Sequence, residues 1–251
     1  MPIDENQAVI QPRRGKREEV LPSLAILMFT PQDMDLFLQY APLLHKRFQK
    51  IYLSELIVGS CHGVPLVLAG PMLGAPQAVL VLEKLIASGV TDVIAMGWCG
   101  SLQAHVRIGD LVLATGAFSE EGTSAHYPIT NRRPEPSREL LDALREALTG
   151  RARTVHEGMV WSTDAPFRET IGKVIKYQQA GALAVDMEAS ALFTVAAFRN
   201  IRVAEALVVS DDLSSLEWVH GFRDPGFKLA REEMLKSIAK AVSSRPSCSS
   251  R

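Results

Sequence analysis

The chain has 251 residues, 47% of them hydrophobic and 22% charged, with a formal net charge of −1. That composition can bury the core of one large α/β domain, and the near-zero charge argues against a nucleic-acid backbone or an anionic membrane as main partner. Cys61, Cys99 and Cys248 are too few and too irregularly spaced for a disulfide framework or a zinc site; no apolar run reaches the length of a membrane span, so a reducing cytoplasm is the expected setting.

Residues 1–20 are polar and include Arg13, Arg14, Lys16 and Arg17, without the apolar stretch of a signal peptide. They read as a flexible arm ahead of a single domain over 21–242, with 243–251 as a tail. Leu24 to Phe29 is a short apolar run without helical periodicity, the mark of a buried strand. Thr30-Pro31 then supplies a cap and a first-position proline for a helix to about Arg47. Tyr52–Gly59 and Val64–Ala69 read as strands around a turn at Cys61-His62-Gly63. Gly70–Pro76 reads as a loop, and Pro76 opens a helix to about Ser88. Asp92–Met96 is a strand ending in Gly97-Trp98-Cys99-Gly100, and Leu111–Thr115 another. Gly116–Pro136 is long, polar and rich in turn residues; a loop of that length is more often functional than idle.

Ser137 caps an amphipathic helix to Leu148. Arg153–Trp161 reads as a strand and Pro166–Gln179 as a helix. Next comes Ala184-Val185-Asp186-Met187-Glu188-Ala189-Ser190, leading into Ala191–Phe198, which is apolar on nearly every face and so reads as a buried helix. Carboxylates are rarely buried without a partner or a task. Asp186 and Glu188 therefore either cap that helix, where its dipole favours an anion, or one of them is an acceptor aimed into a pocket. Val203–Val209 is a strand ending in Ser210-Asp211-Asp212, and a helix from about Gly226 to Val242 closes the chain. Strands alternating with helices predict an α/β fold of three layers, with a mainly parallel or mixed twisted sheet flanked by helices. Ligands in such folds gather beyond strand ends; here those ends are Gly97–Gly100, Ser162-Thr163-Asp164 and Ser210-Asp211.

The order of Met72-Leu73-Gly74-Ala75-Pro76, Gly97-Trp98-Cys99-Gly100, Ile108-Gly109-Asp110-Leu111-Val112, Val185-Asp186-Met187-Glu188-Ala189 and Val209-Ser210-Asp211 resembles the purine nucleoside and uridine phosphorylase superfamily. That superfamily also includes the methylthioadenosine/adenosylhomocysteine nucleosidases. The resemblance implies a pentosyltransferase that cleaves the N-ribosidic bond of a purine-type nucleoside with phosphate, through an oxocarbenium-like sugar. On this reading Glu188 accepts hydrogen bonds from the ribose hydroxyls, Met187 packs against the sugar, and Asp211 donates to N7 of the departing base. Asp186, standing where the family has glutamate, is support. Trp98, Cys99, Gly100 and Phe167 would line the substrate pocket. No cofactor or metal is implied, only inorganic phosphate as co-substrate, and the partners are a small-molecule nucleoside and further copies of the chain.

The resemblance is weakest at the phosphate. The family's arginine after the first strand is absent from Phe29-Thr30-Pro31-Gln32-Asp33, Ala95 takes the place of a second, and Trp98 replaces a hydroxyl. Gly97 and Arg168 are the remaining phosphate candidates, with His126, Arg132 and Arg133 in the long loop, and Lys46, Arg47 and Lys50 near a position that serves a neighbouring subunit. Two alternatives keep the same fold: a nucleosidase that uses water, and a nucleoside-binding protein that has lost its nucleophile site.

Overall fold

The computed structural model describes residues 7–129, 134–150 and 153–243. Ten strands lie in one sheet: β1 (Leu24–Met28), β2 (Leu44–Ile51), β3 (Ser54–Cys61), β4 (Val64–Gly70), β5 (Asp92–Ser101), β6 (Leu111–Ser119), β7 (Val155–Ser162), β8 (Ala182–Asp186), β9 (Arg202–Asp212) and β10 (Val219–His220). Among the described residues six helices flank it: α1 (Pro31–Tyr40), α2 (Gly74–Ala87), α3 (Arg138–Leu148), α4 (Ile171–Gln179), α5 (Ala189–Arg199) and α6 (Pro225–Ser243). The strand order is β10-β9-β6-β7-β8-β5-β1-β4-β3-β2, and β5 also pairs with β9. The strands β5, β9, β6, β7 and β8 therefore close on themselves as a ring, from which β1, β4, β3 and β2 extend. The sheet is mixed, with five parallel and five antiparallel pairings among the described residues.

Alternation along the strands sorts side chains between two cores. Ala25, Leu27, Val67, Val93, Leu207 and their neighbours pack under α2 and α5. Leu24, Ile26, Leu68, Ile94 and Ala206 pack against α1, α3 and α6 on the opposite face. A third cluster places α4 against the ring through Val174 and Tyr177, whose ring stacks on buried Trp161 at 4.3 Å between centroids.

Three expected elements, the first helix, the long loop and the helix from Pro166, differ from those observed. The first helix stops at Tyr40 rather than near Arg47, because Pro42 disfavours helical backbone at Ala41 (φ −125°, ψ 71°). Residues 44–51 form the edge strand β2, whose side chains are exposed up to Ile51, so no apolar face marks it as a strand. The long loop is shorter than expected, since β6 runs on to Ser119 and a single 3-10 turn covers Ser124–His126. The expected helix from Pro166 divides into a 3-10 turn, Pro166–Arg168, and α4. Strands β8 and β10 were not anticipated.

Candidate active site

A cleft of about 620 Å³ opens where β8 and β9 both meet the end of β5. Glu188, Asp211, Met187, Asp186, Trp98, Cys99, Gly100 and Phe167, all singled out from the sequence, border it. Two candidates do not. A Cβ on Gly97 would lie 2.3 Å from the Phe29 ring, so that glycine serves packing. Arg168 is exposed on its 3-10 turn and is not among the residues that line the cleft. His126 is exposed in its own turn, and Arg132 and Arg133 lie outside the described residues.

The two carboxylates after β8 have separate tasks. Asp186 is buried and saturated: Oδ2 accepts from the backbone N–H of Glu188 (2.8 Å) and Ala189 (2.6 Å), and Oδ1 accepts from the Ser162 hydroxyl (2.6 Å). It thereby fixes the backbone that enters α5, whose N-cap position is Glu188. Ser162 also accepts from Ser190 N (2.9 Å), which explains the polar end of β7. The Glu188 side chain makes no cap bond. Its Oε1 accepts from the backbone N–H of Gly74 (2.6 Å), and the carboxyl points into the cleft. Gly74 opens α2 at φ +79°, a conformation that favours glycine, and its side-chain position faces the Met187 methyl. Burial, reinforced by the charge of Asp186, pushes the Glu188 carboxyl up to about 8.

A further buried carboxylate, Glu121, was not singled out from the sequence. Its oxygens accept from the Ser119 and Ser190 hydroxyls (2.7 and 2.8 Å) and from the backbone N–H of Thr123 and Ser124 (2.7 and 3.0 Å), tying the long loop to the first turn of α5. Burial alone would raise this carboxyl; the hydrogen bonds hold it below its ordinary value.

At the other end of the cleft, the register between β5 and β9 breaks so that Cys99 pairs with Val209 and Gly100 with Asp211. Ser210 is the extra residue of this bulge, and so both Ser210 and Asp211 border the cleft where a regular strand would turn one away. Asp211 Oδ1 accepts from the Ser210 hydroxyl (2.6 Å), and Oδ2 accepts from the indole N–H of Trp218 (2.9 Å). A Cβ on Gly100 would stand 3.1 Å from Asp211 Oδ2 and 2.7 Å from Leu213, so only glycine leaves room for that carboxylate. Cys99 lies behind it; burial, with Asp211 adding to the effect, pushes its thiol well up and keeps it protonated.

Trp98 forms one wall and backs onto a buried ion pair. Its indole N–H donates to Asp33 Oδ2 (2.7 Å), and Arg231 from α6 donates to Asp33 Oδ1 (2.6 and 2.9 Å) while lying 4.8 Å over the Trp98 ring. The cation is thus spent on Asp33. The charged residues that line the cleft are Glu169, Asp186, Glu188 and Asp211, with no lysine or arginine among the described residues. Glu169 was not foreseen either. Burial, then the charges of Asp211 and Glu120, pushes its carboxyl up to about 7.

Comparison with known proteins places the chain in a family. The family model described as the phosphorylase superfamily matches residues 23–243. The guanosine phosphorylase of Halorubrum lacusprofundi is 32% identical over 159 residues, 63% of this chain and 66% of that protein. A DeoD-type purine nucleoside phosphorylase of Bacillus cereus is 31% identical over 157 residues, 62% and 67% of the two chains. The chain thus matches about two thirds of the length of these curated relatives. Among solved structures, the uridine phosphorylase of Vibrio fischeri superposes with a TM-score of 0.77 over 89% of this chain and 92% of that one, at 24% identity. The purine nucleoside phosphorylase of Toxoplasma gondii, in complex with immucillin-H, gives 0.79 over 94% and 96%, at 18%. At those identities the superpositions speak to fold.

Proposed function

The chain belongs to the phosphorylase superfamily, and from that premise we propose that it is a pentosyltransferase that splits a purine-type nucleoside with phosphate. The observation that carries the reading is the pairing of Glu188, a buried carboxyl that accepts from backbone N–H donors and borders the cleft, with Asp211 across it. In this reading the ribose lies on Met187, a polarizable surface that does not compete for protons. Glu188 accepts from the ribose hydroxyls and opposes the positive charge that develops as the C1′–N bond stretches. Asp211 delivers a proton to N7, so that the base leaves neutral. Phosphate attacks C1′ from the face opposite the base, giving ribose 1-phosphate. Glu169, with its carboxyl near neutrality, is placed to read the hydrogen-bonding edge of the base. Asp186 and Glu121 act by holding α5, and Trp98, Cys99, Gly100 and Phe167 shape the walls.

A second reading has its own observation. A dianion is held best by charge-assisted donors, and no cation lines the cleft among the described residues. Water in place of phosphate would make the protein a nucleosidase. Incubating purified protein with a nucleoside panel, with and without phosphate, separates the two. Ribose 1-phosphate as product supports phosphorolysis; base release indifferent to phosphate overturns it and leaves the hydrolase.

We also propose that residues 21–242 act as one domain in the cytoplasm, and that the chain forms a homo-oligomer. The support for assembly is the exposed edge strand β2 and its turn, where Leu44, Phe48, Tyr52 and Leu53 are all more than half exposed, beside Lys46, Arg47 and Lys50. Among the described residues no helix is long and apolar enough to cross a membrane.

A further inference from the structure

Among the described residues, Asp211 is held from outside its own strand by one side chain, the indole of Trp218. Trp218 sits just before β10, which pairs antiparallel with the end of β9 so that His220 stands opposite Asp211. The backbone N–H of Gly221 donates to Ser210 O (2.8 Å), fixing the segment on the bulge that carries Asp211. Its aromatic side chains pack on each other and on the cleft wall: Trp218 on His220 (5.7 Å) and Phe222 (6.3 Å), and Phe222 on Trp98 (6.1 Å). Trp218 is 62% exposed. A large exposed aromatic whose one polar atom meets a cleft carboxylate is poorly explained by core packing.

We propose that Trp218 is a positioning residue for proton transfer to the leaving base, a role that rests on the function proposed above. An indole N–H can only donate. Bonded to one lone pair of Oδ2, it turns the other toward the cleft, while Ser210 fixes Oδ1. As the C1′–N9 bond breaks, its electron pair goes to the base and the Asp211 proton goes to N7. The carboxylate left behind keeps both donors, Ser210 Oγ and Trp218 Nε1, so the hydrogen bonds strengthen as the proton departs.

Trp218→Phe keeps an aromatic ring beside His220 and Phe222 and removes the N–H. The test compares guanosine with 7-methylguanosine, whose base already carries the positive charge and leaves neutral without accepting a proton. With guanosine the variant should lose about ten- to a hundredfold in kcat/KM, mostly in kcat, the size expected for a hydrogen bond to a charged group. The loss with 7-methylguanosine should be at least about tenfold smaller. In an Asp211→Asn background, Trp218→Phe should add less than about twofold. Equal losses on the two nucleosides, or full additivity with Asp211→Asn, would overturn the positioning role. A wild-type protein that cleaves none of guanosine, 7-methylguanosine, inosine and adenosine overturns the proposed function itself, so the two failures are distinguishable.

Discussion

The backbone N–H of Gly74 stands 2.6 Å from Oε1 of Glu188, so the first residue of α2 holds the carboxylate that precedes α5. Two segments 114 residues apart in the chain meet there, and the donor is oriented by a left-handed backbone at φ +79°. Gly74→Ala should cost about 1 kcal/mol of folding stability, because a Cβ is strained at that φ. It should also raise KM for the nucleoside as the donor swings away. Thermal unfolding and steady-state kinetics on the same preparation read both effects, and an unchanged KM would separate the Gly74 contact from sugar binding.

Glu188→Gln keeps shape and burial and removes the charge. It should lower kcat/KM by about 2 kcal/mol or more, roughly thirtyfold, because the carboxylate opposes charge that appears only as the bond breaks. Equal rates in wild type and variant would show that the sugar lies elsewhere.

The Glu188 carboxyl, raised to about 8 by burial and then by Asp186, carries a proton over much of the neutral range. A protonated carboxyl has fewer lone pairs for ribose hydroxyls and no charge to offset the sugar cation. Wild-type kcat/KM should therefore climb as pH rises from about 6 to about 8, and Glu188→Gln should lack this limb. A wild-type profile that falls over the same interval has the wrong sign for this role.

Glu169, raised to about 7 chiefly by burial, offers a base-selectivity test. Ionised, it accepts from a purine that carries N1–H and a 2-amino group; protonated, it can donate to the bare N1 of adenine. The ratio of kcat/KM for guanosine over adenosine should rise with pH through about 7, and Glu169→Gln should flatten that rise. A ratio independent of pH in the wild type would remove Glu169 from the base edge.

Glu205 lies opposite Ala95 between β9 and β5, fully buried, and neither carboxylate oxygen has a hydrogen-bond partner among the described residues. Burial, with Asp186 and Glu188 adding to it, pushes its carboxyl well up, so the folded protein holds a proton that the unfolded chain releases. That stability is fully present below the ordinary carboxylate range and is lost as pH rises toward the folded value. The difference in unfolding free energy between Glu205→Gln and wild type should therefore grow by about 1–3 kcal/mol from acid to mildly alkaline pH. Denaturant unfolding at several pH values checks this; parallel curves would mean that Glu205 has a partner in solution.

Long apolar runs made three adjoining strands of the sheet legible in the sequence. β1, β5 and β9 are continuous enough to be read without periodicity, and each of their ends was marked by a polar or glycine-rich signal. β2 escaped because it buries only Ile51 and so has no face to write into its residues. β8 escaped because five residues leading into an apolar helix look like the beginning of that helix. The residues of Asp186-Met187-Glu188 stated that two carboxylates were present but not which one faced a ligand. That division depends on a Gly74 donor from a distant helix and on Ser162, which no local pattern reveals. Trp218, Glu169 and Glu121 lie in polar connecting segments, where function is carried by position rather than by a repeating pattern.

Gly100 and Ser101 of β5 pair on one side with Val185 and Ala184, and on the other with Asp211 and Asp212. Of the carboxylates proposed for sugar and base, Glu188 thus follows β8 and Asp211 lies within β9, and both strands share a single backbone seam. No hinge lies between them, and changing their separation means breaking ladder hydrogen bonds of a closed ring. Such a site works as a fixed gauge: a substrate whose sugar-to-base span differs cannot be met by adjustment of the floor. Whatever accommodation evolution or engineering achieves has to come from the border at the Pro166–Arg168 turn, which can be lengthened without touching the gauge.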